Sequence, residues 1–101
     1  MAHYHIRFSW RFRWEFDEIC NFIRYELQNP IAAENFVNLY LKKILILKLY
    51  PYSFPTFDSY SKSKRYFIIK NYTFIYSINE LSKTVYLERC LYSKSNLNNK
   101  K

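Results

Sequence analysis

The stretch KRYFIIKNYTFIYSINELSKTVYLERCLY, from Lys64 to Tyr92, decides the fold. It reads as three short strands, Lys64–Lys70, Tyr72–Ile78 and Thr84–Tyr92, the last two joined by Asn79–Lys83. Aromatic and β-branched residues fill the runs, and Asn and Ser mark the breaks. In the middle run, alternation sets Tyr72, Phe74, Tyr76 and Ile78 on one face and Thr73, Ile75 and Ser77 on the other. Lys64, Arg65, Lys70, Lys83 and Arg89 punctuate the meander, and Lys94 lies just beyond it. A sheet with one apolar face and cations about its working face suits a polyanion. Ordinary solvated Lys and Arg on a sheet edge are the plain alternative.

Working toward the N-terminus, residues 51–63, PYSFPTFDSYSKS, form an irregular connection with two prolines. Before it come two helical segments. Ser9 is a good N-cap, and from Trp10 to about Gln28 the residues Phe12, Phe16, Ile19, Ile23 and Leu27 recur at helical spacing. Trp10, Trp14 and Tyr25 fall on the opposite side. The alternation of aromatics with Arg over Phe8–Trp14 also fits a longer strand; the downstream stripe favours the early helix start. Asn29-Pro30 ends the first helix and caps a second. Ala33, Phe36, Val37, Tyr40, Ile44 and Leu47 make its stripe, and Pro51 closes it. Leu39, Leu45, Ile46 and Leu49 lie off that stripe, which predicts a helix covered on more than one side. The short joint makes the two helices an antiparallel hairpin, and Tyr4–Phe8 alternates as a strand ahead of them. The whole predicts an α+β fold. An N-terminal strand and a helix hairpin precede a three-stranded antiparallel meander, one domain over residues 1–92 with a basic tail over 93–101.

At 101 residues, half of them hydrophobic and 22% aromatic, the chain is long enough for one core and too apolar for disorder. It contains no Gly, so phosphate loops that depend on glycine are excluded, and left-handed turn positions fall to residues such as Asn71 or Asn79. The net charge of +8 is unevenly spread. Residues 1–58 carry seven Lys/Arg against six Asp/Glu, whereas 59–101 carry nine against two. Nucleic acid or an acidic protein is the natural counterpart of such a face. Cys20 and Cys90 sit among apolar residues, as reduced buried thiols do. No secretory signal and no membrane-length apolar run is visible, so a soluble cytoplasmic protein is expected.

Most catalytic constellations are absent. His3 and His5 share a strand face, but two ligands make no metal site, and neither cysteine completes a metal-binding spacing. No metal or cofactor is expected. One chemistry survives: RNA cleavage by attack of the 2′-hydroxyl needs only cations for the charged phosphorane and a proton donor and acceptor. Arg65, Lys70, Arg89, Tyr92 and Lys94 are the groups available for it from adjacent strands.

Four pieces in this order resemble the RelE/ParE superfamily of type II toxin–antitoxin toxins. YHIRFS followed by DEICNFI is similar to the family's first strand and helix, and NPIAAENFVNLYLKKILILKLYP to its second helix. KRYFIIKNYTFIYSI and SKTVYLERCLYSKS resemble its Arg-led, central and final strands. The resemblance implies a compact toxin silenced by a cognate antitoxin in a hetero-oligomer. RelE-like members cleave mRNA on the ribosome, and ParE-like members poison DNA gyrase. It makes Arg65 and Tyr92 the candidate catalytic pair and Lys64, Lys70, Arg89 and Lys94 candidate contacts to nucleic acid or another target. Trp10 and Trp14 are candidate antitoxin anchors, since exposed aromatics favour interfaces. Thr73 stands where many RNase members carry an Arg, a phosphate clamp worth roughly 2–4 kcal/mol in the transition state. That departure moves the chain toward the ParE-like or catalytically divergent side. A non-catalytic nucleic-acid-binding or regulatory module on the same fold is the alternative from another class.

Overall fold

The computed structural model describes residues 3–57 and 64–93; Lys94 and all of the expected tail except Ser93 lie outside them. The chain opens with strand β1, His5–Phe8. Ser9 then caps helix α1, Trp10–Asn21, its hydroxyl accepting from the Phe12 amide at 2.9 Å. After Asn21 the coil widens into a π turn, Phe22–Glu26, in which the Leu27 amide reaches back five residues to the Phe22 carbonyl at 3.0 Å. The wider turn rotates Leu27 off the stripe, so it is exposed, whereas Phe12, Phe16, Ile19 and Ile23 face the core. Helix α2, Pro30–Leu49, starts with Pro30 in its first turn, and the Asn29 side chain accepts from the Ala32 amide at 3.0 Å. A 3-10 turn, Pro51–Ser53, leads toward β2, Lys64–Ile69, β3, Tyr72–Asn79, and β4, Thr84–Tyr92.

The meander forms as the alternation predicts, and β1 joins it. Strand order is β1-β4-β3-β2, antiparallel except for the parallel pair β1–β4. In β4 the register slips between Ile75 and Tyr76: Arg89 faces Ile75 and Leu87 faces Tyr76, leaving Glu88 as a bulge. The bulge puts Leu87 and Cys90 on the same side, where both are buried.

That side packs on the helix hairpin through aromatic rings. Phe74, fully buried, lies within 4.9 to 6.2 Å of the rings of Phe12, Phe16, Phe36, Tyr40 and Phe67. Tilted and stacked pairs at such distances contribute roughly 0.5–1.5 kcal/mol each beyond area burial. The Tyr76 hydroxyl, buried with its ring, donates to the Pro51 carbonyl at 2.6 Å, which ties the segment after α2 to the middle of the sheet.

Two expectations give way. The left-handed positions are Gln28 (φ 49°), Lys70 (φ 57°) and Lys83 (φ 50°), not Asn71 or Asn79. Asn79 instead caps the β3–β4 loop, its side-chain oxygen accepting from the Ser82 amide at 3.1 Å. Nor is α2 covered all round: Leu41, Leu45, Ile46 and Leu49 are exposed, because α1 and the sheet both pack on the single stripe from Ala33 to Leu47.

Phe74→Ala is expected to cost about 3–5 kcal/mol in urea denaturation, because five rings lose a common neighbour. Gln28→Gly should raise stability by about 1 kcal/mol in the same assay, since glycine takes the left-handed position without the Cβ clash.

Candidate polyanion-binding face

The helices leave one face of the sheet uncovered, and strand register determines which side chains share it. Lys64, Ser77, Tyr86 and Arg7 are cross-strand neighbours in one row, followed by Tyr66, Ile75 and Arg89, then Ile68, Thr73 and Leu91. Beside the first row lies an open hollow of about 560 Å³ bordered by Lys64, Ser77, Asn79, Leu81, Thr84 and Tyr86. Hydroxyls, the Lys64 ammonium and the Glu80 carboxylate all border it, so its charge is mixed.

Several of the expected cations are held by the protein itself. Lys64 pairs with Glu88, whose other oxygen accepts from Ser77 Oγ at 2.7 Å. Arg89 reaches round the sheet edge to Glu15 of α1, with Nε at 3.0 Å and Nη2 at 2.7 Å from Oε2. The same carboxylate accepts the Cys90 amide at 2.8 Å, and Arg11 Nε stands 3.9 Å away. Arg65 belongs to the helix-facing side. Its Nη1 donates to the Phe54 carbonyl at 2.6 Å and to that of Tyr52 at 3.4 Å, and its guanidinium lies 5.1 Å from the Tyr52 ring centre.

Lys70 is exposed in the β2–β3 turn. Tyr92 is half-exposed at the far end of β4, its ring 5.6 Å from that of Tyr72. Arg65 pairs in register with Tyr76 and Tyr92 with Tyr72, so the two sit four residues apart along the strands, about 13 Å. The structure does not bring them together. Thr73 is buried, its hydroxyl 2.8 Å from that of Ser93. Trp10 and Trp14 are exposed on α1.

Sequence reasoning missed Arg7, Glu15 and Glu80. Arg7 was legible as an outward residue of the first strand. Glu15 and Glu80 have local partners at Arg11 and Lys83, but meet Arg89, Tyr4 and Tyr52 only through folding. Glu80 accepts from Lys83 Nζ at 2.6 Å and from the hydroxyls of Tyr4 at 2.5 Å and Tyr52 at 2.6 Å. These donors, Lys83 foremost, pull its carboxyl down to about 2, and the bond to Glu80 pushes Tyr52 up to about 12. Burial raises the Cys90 thiol, which therefore stays protonated and unreactive. Among the described residues, no three His, Cys, Asp or Glu side chains converge as metal ligands, and no helix is long and apolar enough to cross a membrane.

No protein-family model matches the chain, and no curated protein matches it. Solved structures do. A chain of the chromosomal ParDE toxin–antitoxin system of P. aeruginosa superposes with a TM-score of 0.68 at 12% identity, covering 88% of this chain and 95% of that one. A chain of the toxin–antitoxin complex RelBE2 of Mycobacterium tuberculosis gives 0.60 at 16% identity, with 90% and 99% covered. The isolated RelE toxin of E. coli gives 0.59 at 11% identity, with 96% and 97% covered. The fold is therefore that of RelE/ParE toxins.

Glu15→Ala should cost about 2 kcal/mol by denaturation, since it strands a partly buried Arg89 and an edge amide. Glu80 is held below the ordinary carboxyl value of 4.5, so its contribution to stability is complete above that pH and is lost as pH falls toward about 2. Melting temperature should accordingly drop more steeply over that window in the wild type than in Glu80→Gln.

Proposed function

We propose that the chain is the toxin of a type II toxin–antitoxin pair, silenced by a cognate antitoxin and acting in the cytoplasm by binding its target rather than by cutting RNA. The fold shared with RelE/ParE toxins supports the first part. One observation carries the second: Arg65, the candidate phosphate clamp, donates to the Phe54 carbonyl on the helix-facing side, far along the sheet from Tyr92. Thr73, where many RNase members carry an Arg, offers no cation and lies on the opposite face of the sheet from both. A phosphorane would then lack the convergent donors that such cleavage requires. DNA gyrase, the target implied by the ParE-like resemblance, is the reading this favours over mRNA on the ribosome.

The antitoxin has a surface to take. Leu41, Leu45 and Leu49 recur at four-residue spacing on α2, all exposed, with Lys42 and Lys48 beside them. An acidic amphipathic segment complements that strip in both polarity and charge.

Tightly controlled expression should arrest growth, and co-expression of the small acidic partner from the adjacent reading frame should relieve the arrest. Leu45→Glu should keep the toxicity and lose the relief. Purified chain should block gyrase supercoiling while leaving mRNA on programmed ribosomes intact, and Tyr92→Phe should change neither result. Ribosome-dependent cleavage abolished by Tyr92→Phe would restore the RNase reading. Absence of any growth defect would point to a regulatory module on the toxin fold.

A further inference from the structure

We infer that the outer side of α1 is a platform for single-stranded nucleic acid, with Trp10 and Trp14 stacking on bases and Arg11 and Arg13 meeting phosphates. From His3 to Trp14 the chain holds three Arg, two His and no Asp or Glu. Its basic excess is therefore not confined to the sheet, although summation over the N-terminal half hides this. Trp10 and Trp14 are 78% and 59% exposed, on the side of α1 away from Phe12 and Ile19. Four residues apart, they lie on successive turns about 6 Å apart along the axis, so each presents a ring face to a different base.

The neighbouring cations are available. Among the described residues Arg13 forms no ion pair and is exposed. Arg11 is 3.9 Å from Glu15, a carboxylate that Arg89 holds at 2.7 Å. Both are arginines, whose planar guanidinium binds phosphate in two-pronged fashion and stacks on rings. Asp17 and Glu18 close the platform beyond Trp14, so a strand runs over the first two turns toward β1 rather than along the whole helix.

Unpaired bases are required, because duplex bases hide their faces from a side chain. An acidic protein segment is the rival occupant, but the exposed residues of α1 include no Leu, Ile or Val to receive one. The aliphatic strip is on α2. This inference goes beyond the toxin reading and stands whether or not the chain arrests growth.

Trp10 and Trp14 are the only tryptophans, so fluorescence excited at the red edge, where the tyrosines do not absorb, reports on this face alone. Titration with twelve-nucleotide oligo-U and oligo-dT should quench it. Fluorescein-labelled oligomers should bind roughly ten-fold more weakly to Trp10→Ala or Trp14→Ala, with Trp14→Tyr near wild type. The log–log salt slope should be about −1.4 for two phosphate contacts and shrink by about 0.7 in Arg11→Ala or Arg13→Ala. Both tryptophans are exposed, so unchanged circular-dichroism melts should accompany these losses. Unaltered affinity in the Trp10→Ala/Trp14→Ala double variant would overturn the inference by placing the strand elsewhere. So would absence of quenching, or equal quenching by poly-glutamate, which would make an acidic protein the occupant.

Discussion

Strand β4 runs nine residues, but β1, its neighbour on one side, runs only four. Beyond Leu87 an edge of backbone donors and acceptors has no strand beside it, and such an edge must be satisfied or it invites pairing with another chain. Here the start of α1 does the work of the missing strand. The Ser9 amide donates to the Leu87 carbonyl at 3.0 Å, Ser9 Oγ to that of Glu88 at 2.9 Å, and Glu15 accepts the Cys90 amide. These bonds set where the helix leaves the strand and the height at which it crosses β4. They also lay Phe12 and Phe16 over Phe74. The bulge at Glu88 belongs to the same adjustment, since it turns Cys90 toward the core just where the helix closes over it.

Much of this was legible one element at a time. Alternation in the meander, the Ser9 and Asn29 caps and the Ala33–Leu47 stripe are local signals, and local signals survive folding. Leu27 was misread because a π turn adds a residue that a 3.6-residue stripe does not allow for. The faces of β4 were hidden for a related reason: one bulged residue reverses the alternation, and nothing in ERC announces it. The apolar remainder of α2 was read as covered because composition records that a residue is greasy, not whether anything in the same chain reaches it. Least legible were the partners of the cations. Arg89 meets a carboxylate 74 positions away, and Arg65 meets two carbonyls of an irregular segment.

A net charge of +8 counts cations without asking which are already engaged. On the sheet, where the excess is greatest, Lys64, Arg65, Lys83 and Arg89 are each bound to an acid or a carbonyl. Their first duty is to the fold. The arginines around α1, in a half of the chain that looks almost neutral, stand more open to solvent. Charge density and charge availability thus fall in different places, and the likeness to RelE/ParE toxins in fold need not bring likeness in where charge is used.

The segment Pro51–Phe54 is short and irregular, yet two separate strands and a loop grip it. Tyr76 of β3 holds the Pro51 carbonyl, Arg65 of β2 holds those of Tyr52 and Phe54, and Glu80 of the β3–β4 loop holds the Tyr52 hydroxyl. Because this segment is also the continuation of α2, the helix has no slack at its C-terminal end. A load applied along α2 is shared at once among β2, β3 and the β3–β4 loop, as tension in a rope is shared among several stakes. A partner seated on the leucines of α2 would therefore pull on the whole sheet and not on a helix free to swing.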